Sequence, residues 1–187
     1  LAALLNVRPK TLTFTSGATE SNQIAIFGVA ALYPDAHIIT QVTEHKAVLD
    51  PIAQLEARGH AVTRLPVDEA GRVRIDNLEA ALTSQTRLVS IMHINNETGA
   101  IQPIEEIAQL LTSRAHAECV FHVDGAQSVG KCEVNLRALN VDLFSLSAHK
   151  FYGPKGVGAL YVRGRTSTRP QRSLPPLFYG GGQERGL

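Results

Sequence analysis

Short runs rich in β-branched and other apolar residues recur along this chain, mostly separated by longer stretches whose apolar residues fall three and four apart. That alternation is the signature of strand–helix units feeding a mainly parallel sheet. The predicted strands are Thr11 to Thr15, His37 to Gln41, Ala61 to Leu65, Arg87 to His93, Val120 to Val123, Leu143 to Leu146 and Ala159 to Val162. Helical spacing marks Asn22 to Leu32, Ala47 to Arg58, Leu78 to Leu82 and Ile104 to Ala115. One mainly parallel seven-stranded sheet with helices on both faces is a three-layer α/β/α sandwich. Asp76, three residues before Glu79, reads as a helix cap.

With 187 residues, 44% of them hydrophobic, the chain can bury a sizeable core as one domain or at most two. A net charge of +1 argues against a nucleic-acid surface. The one basic run, Arg163 to Arg172, reads as a solvated linker, and Gly164 to Pro176 as an exposed connection leaving the sheet. Cys119 and Cys132 form neither a disulfide framework nor a CxxC pair, which fits a reducing, cytoplasmic setting. No apolar stretch approaches the roughly 20 residues that cross a bilayer, so neither a membrane nor a nucleic acid is expected as a partner. The chain starts at Leu1 and ends in Gly180 to Leu187, which reads as the interior of a longer protein.

In open parallel sheets, ligands bind beyond the carboxyl ends of the strands. Four polar strand exits stand out. Ser16 to Asn22 leads from a strand into a helix, where exposed amides, the helix dipole and the Thr19 hydroxyl suit either a phosphate or an ordinary N-cap. Val120 to Gln127 ends an apolar strand on Asp124, with His122 on the same face. A carboxylate there is either a partner for a protonated ring nitrogen or a cap. His122 and Asp124 lack a convincing third ligand, so no metal is expected.

The third exit, Ser147-Ala148-His149-Lys150, puts a lysine where an apolar sheet edge would strip its hydration and favour the neutral, nucleophilic amine of a Schiff-base lysine. A surface lysine in a turn is the alternative. Ser147 and His149 add donors for an anion. The fourth exit is double: His45 suits stacking on a flat ring or moving protons, and Asn96 suits donation to a phenolate-like oxygen. His93 reads as a hydrogen-bonded core histidine, and His37, His60 and His116 as surface residues at element ends. Gly125 to Lys131 fits GxxxxGK, but Cys132 stands where a phosphate loop needs Ser or Thr, and Gly153 to Gly158 does not follow GxGxxG.

The stretches TSGATESN, TEHKAVLD, HINNETGAIQPI, HVDGAQSVGK, SLSAHKFYGPKGVGALYV and GGGQERGL, in this order, resemble the pyridoxal-phosphate-dependent cysteine desulfurases of iron–sulfur cluster assembly, within the class-V aminotransferases. The resemblance implies the large domain of the fold type I transferases over residues 1–163, with 164–187 leading towards a C-terminal small domain. It implies pyridoxal 5′-phosphate as cofactor, joined as a Schiff base to Lys150, which would also move protons at the substrate alpha carbon. His45 would stack on the ring and Asp124 would keep its nitrogen protonated. Asn96 and Gln127 would hydrogen-bond the phenolic oxygen, and Ala18, Thr19, Ser147 and His149 would hold the phosphate.

The implied activity takes L-cysteine to L-alanine and leaves the sulfur as a persulfide on an enzyme cysteine, in a homodimer that serves iron–sulfur scaffold or sulfur-acceptor proteins. Neither Cys119 nor Cys132 stands in the motif of the sulfur-accepting cysteine. The arginine that grips the substrate carboxylate has no counterpart here, nor does the threonine lent to the neighbouring subunit's phosphate. A catalytically incomplete cofactor-binding or dimerisation fragment and a selenocysteine lyase-like enzyme are the alternative readings.

Overall fold

The pleat of a strand sends neighbouring side chains to opposite faces, and this chain uses that rule to fill two cores. Ile38 and Ile39, Leu88 and Val89, Val120 and Phe121, Leu143 and Phe144, and Leu160 and Tyr161 each divide between two separate apolar clusters. In the computed structural model, residues 1–164 and 173–181 are described. The strands are β1 (Leu12–Thr15), β2 (His37–Gln41), β3 (Val62–Leu65), β4 (Thr86–Ser90), β5 (Val120–Asp124), β6 (Leu143–Ser147) and β7 (Gly158–Val162). They form one sheet in the order β1-β7-β6-β5-β4-β2-β3, parallel from β6 through to β3, with β7 antiparallel to both β6 and β1.

The helices are α1 (Ala18–Leu32), α2 (Lys46–Ala57), α3 (Ile75–Ala81), α4 (Ile104–Arg114) and α5 (Leu136–Leu139). Ile24, Ile26 and Val29 of α1 with Val48 and Ile52 of α2 cover one face. Leu78 of α3, Ile107 and Leu111 of α4, and Leu136 and Leu139 of α5 cover the other. The three layers follow, as the alternation in the sequence predicts.

Several local expectations give way to long-range packing. α1 begins at Ala18 rather than Asn22, because polar residues make up its first turn. β4 ends at Ser90 rather than His93. α3 starts after Arg74, and Asp76 makes no cap; it pairs instead with Arg74 at 3.1 Å, while Glu79 faces Arg114. α5 is one turn long, too short to carry a periodic pattern, and rests on an Asn135 side chain that accepts from the Ala138 amide.

His37 is buried rather than at the surface, its ring bridging Thr86 and Thr63 at 2.9 Å each across three strands. His93 is buried as expected, but its Nδ1 has no hydrogen-bond partner among the described residues. Arg163 is no linker residue: it is 3% exposed and ion-paired to Asp142, whose other oxygen accepts from the Phe121 amide. Gly164, the first residue of the predicted exposed connection, is buried as well, while residues 165–172 of the basic run lie outside the described residues, as does the end of the chain from residue 182. The connection is not wholly exposed either, since Leu174 packs into the α1 core against Gly28.

Gly125, immediately after β5, is required by packing. A Cβ there would lie 1.8 Å from Phe144 Cζ, deep inside the van der Waals envelope of a ring that is itself fully buried. Gly125→Ala should therefore destabilise the fold by about 3 kcal/mol, through forced displacement of Phe144. Urea unfolding measures this, with a shifted midpoint and an unchanged slope.

Candidate active site

Towards the carboxyl ends of the strands, the sheet face under α1 changes from apolar to polar. Ser90, His122 and Ser145 follow Leu88, Val120 and Leu143 on that face, all fully buried. His122 is held between Ser90 Oγ at 2.8 Å from Nδ1 and Ser145 Oγ at 3.0 Å from Nε2. A neutral ring donates through one nitrogen and accepts at the other, and two hydroxyls satisfy both. Burial with no acid in contact pushes its pKa down to about 3.

One step further along β5 lies Asp124, 5% exposed. Its Oδ1 accepts from the Ala126 amide at 2.9 Å, and its Oδ2 from Asn22 Nδ2 at 2.8 Å. Burial raises its pKa, opposed by these two donors and by the charges of His45 and Lys150. A second carboxyl, Glu44, is buried nearby and accepts from the Met92 amide. Burial first and the charge of Asp124 second hold it well above the usual carboxylate range.

Asp124 and Met92 help line a cavity of about 520 Å³ around which all nine residues named from the sequence are gathered: Ala18, Thr19, His45, Asn96, Asp124, Gln127, Ser147, His149 and Lys150. Five places in the fold deliver them: the start of α1, the residue before α2, the loop after β4, the end of β5 with its turn, and the end of β6 with its turn. Ala18 and Thr19 open α1, which follows Gly17 and has no side-chain cap, so the first-turn amides are left to a ligand or water. His45 precedes α2, and its Nδ1 accepts from the Ala47 amide at 3.0 Å, fixing the ring and leaving the proton to Nε2.

Ser147 ends β6, and its hydroxyl lies 2.9 Å from His149 Nδ1. Gln127 accepts through its Oε1 from Lys131 Nζ, which leaves its NH2 to donate. Asn95 is buried and ties the following turn, accepting from the amides of Glu97 and Thr98 at 2.9 Å each, while its neighbour Asn96 reaches the cavity. Lys150 sits on a short 3-10 turn and is exposed, so the hydration loss expected of it is not supplied by its own surroundings.

Two residues that shape the site, one beneath the cavity and one lining it, escape a residue-by-residue reading of the strand exits. Asn22 belongs to the TSGATESN stretch yet carries no role there; its spacing of three and four from Thr19 and Ala18 puts it on the same side of α1, which is the available signal. Lys155 lines the cavity from the turn after the 3-10 segment, where nothing but its charge marks it. No group of three or more His, Cys, Asp or Glu that could hold a metal occurs among the described residues, and no helix among them is long and apolar enough to cross a membrane.

The mostly parallel sheet sets a buried acid, Asp124, and an exposed lysine, Lys150, on one cavity beyond the carboxyl ends of its strands, where open α/β sheets bind their ligands. Residues 1–185 match the aminotransferase class-V family, and the chain belongs to that family. Within it, the sequence is 52% identical to the mitochondrial cysteine desulfurase of Drosophila melanogaster and 53% identical to the cysteine desulfurase IscS of Vibrio cholerae. Each comparison covers all of this chain but only 39% and 45% of the relative, so the chain spans less than half the length of either. Among solved structures, a NifS-like protein superposes with a TM-score of 0.92 at 44% identity, and DndA from Streptomyces lividans with 0.89 at 43%. This chain covers 50% and 52% of those two chains.

The buried titratable groups give opposite pH dependences. His122 takes up fewer protons folded than unfolded between about 3 and its ordinary value of 6.5, so stability should fall as pH drops through that window, by up to about 5 kcal/mol. Glu44 and Asp124 hold protons more tightly when folded, so their contribution is lost as pH rises above the ordinary carboxylate range. Urea unfolding across pH should show both limbs, and His122→Gln, which keeps a donor and an acceptor for the two serines, should flatten the acid limb alone.

Proposed function

We propose that this cavity binds pyridoxal 5′-phosphate and that the chain is the cofactor-binding part of a cysteine desulfurase. Residues 1–163 form the cofactor domain in this reading, and residues 164–187 lead towards a small domain. Asp124 is the observation that carries it. A carboxylate at the cavity floor has both oxygens fixed by neutral donors and no ion pair among the described residues. Burial of an acid without a counter-charge is costly, and a protonated pyridine nitrogen supplies the missing charge and a proton together.

The opposite requirement, a seat for a phosphate monoester, fits the uncapped start of α1, with the Ser147 hydroxyl and His149 beside it. When bound, the cofactor supplies an aldehyde to which an amine can bond and a ring that delocalises an electron pair left on a substrate carbon. The chain's own residues do the rest. Lys150 Nζ, at the open mouth, would anchor the cofactor and carry a proton to and from the substrate carbon. His45, its ring set by the Ala47 amide, would cover one ring face. The Gln127 and Asn96 amides would donate to the phenolic oxygen, the former because Lys131 already occupies its carbonyl. Asp124, its two oxygens fixed by the Asn22 and Ala126 donors, would hold the proton at the ring nitrogen.

In the whole protein, the substrate would be L-cysteine and the products L-alanine and a persulfide for iron–sulfur cluster assembly, within a homodimer in a reducing compartment such as the cytoplasm. The similarity to proteins named cysteine desulfurase supports that choice, and one similar solved structure is that of SspA in complex with cysteine. Cys119 is buried and Cys132 exposed, and neither lines the cavity. That favours a second reading for the chain taken by itself: cofactor binding without sulfur transfer.

Mixing the chain with pyridoxal 5′-phosphate should produce a visible absorbance band, and borohydride should trap the cofactor on Lys150, as read by peptide mass. Lys150→Ala should abolish trapping, and Asp124→Ala should weaken cofactor binding about tenfold or more, the scale of a hydrogen bond to a charged group. Cysteine turnover by the chain alone should be absent. A folded chain that gives neither band nor adduct would refute the assignment.

A further inference from the structure

The cavity is lined by one more cation than the strand exits account for. Gly158, the first residue of β7, meets the loop before α1 so closely that a Cβ on it would lie 2.5 Å from Gly17 Cα and 2.7 Å from the Gly17 carbonyl carbon. Gly158 also pairs in register with Ser147, and a Cβ on Gly17 would lie 3.5 Å from Ser147 Oγ. The start of α1, the end of β6 and the start of β7 therefore converge at one point. The turn just before β7 is held down on the same point: the Ala148 amide donates to the Val157 carbonyl and the Gly153 amide to the Ala148 carbonyl, both at 2.9 Å. Gly153 allows this, since a Cβ there would lie 2.9 Å from Ala148 Cβ.

Lys155 and Gly156 lie in that turn, two to three residues from the convergence, and both line the cavity with Ser16, Gly17 and Thr19. Lys155 is exposed and forms no ion pair with an acid among the described residues. The geometry points to Lys155 as a further anion-binding residue of the cavity, its ammonium directed to a phosphate monoester seated at the start of α1. A phosphate dianion there meets amides, two hydroxyls and an imidazole, of which none is a permanent cation; a lysine acts on it as a point charge.

This assignment rests on the cofactor reading above, and the test separates the two. Pyridoxamine 5′-phosphate and pyridoxamine share the ring but differ in the phosphate, and neither offers an aldehyde to Lys150, so equilibrium dialysis against the two isolates the phosphate seat. Lys155→Ala should weaken pyridoxamine 5′-phosphate binding roughly tenfold and leave pyridoxamine binding unchanged. Lys155→Arg should restore most of the loss, and the salt dependence of binding should be shallower in Lys155→Ala than in the unaltered chain. Circular dichroism and thermal unfolding should match for all three proteins, because the side chain is exposed. Equal affinity of Lys155→Ala and the unaltered chain for the phosphorylated ligand would overturn the Lys155 assignment alone, as would equal weakening for both ligands. Failure of the unaltered chain to bind the phosphorylated ligand at all would overturn the cofactor reading and this assignment with it.

Discussion

A carboxylate placed at the end of a central strand dictates what can surround it. Asp124 cannot stay ionised beneath α1 unless its oxygens meet donors, so Asn22 reaches down from the helix and the chain turns at Gly125 to present the Ala126 amide. A second ionised acid next to it would be repelled, and burial together with Asp124 accordingly raises the pKa of Glu44. Behind the acid the same sheet face must be satisfied without charge, which a neutral His122 between two serines achieves. The cavity is thereby divided by polarity: one buried acid at the floor, neutral polar groups beneath, and the basic residues Lys150, His149, Lys155 and His45 at the exposed rim.

Close backbone approach sets the shape of that division. Gly125 lets the turn after β5 slide over the ring of Phe144, and Gly158 lets β7 touch the loop before α1. Neither glycine carries chemistry, and neither needs an unusual backbone angle. Each is a point where any side chain would wedge apart two elements that must both reach the cavity.

Much of this is legible in the sequence, and the exceptions share a cause. Paired residues such as Leu88 and Val89 announce strands buried on both sides, and the polar residues just past those runs converge on one cavity because strand ends in such a sheet must. What is not legible depends on partners distant in the chain. His37 is buried by hydroxyls at positions 63 and 86, Arg163 by Asp142, and Leu174 by the groove at Gly28. The exposure of Lys150 is equally out of reach, because a strand exit fixes where a side chain starts and not how much of the chain folds over it. α5 and the real start of α3 turn on single hydrogen bonds and ion pairs that leave no periodic trace.

Among the described residues, β1 sits at the sheet edge and pairs with β7 alone, at the far end of the strand sequence. The loop that opens α1 hangs from that strand, so its position is set by a pairing of long sequence separation, the slowest kind to form. A chain emerging from the ribosome can close β2, β4, β5 and β6 around each other while β1 still waits, and the corner at the start of α1 takes shape only when β7 has been delivered. Completion of the cavity wall is thereby deferred to the end of assembly of this layer, whatever the order in which its residues were made.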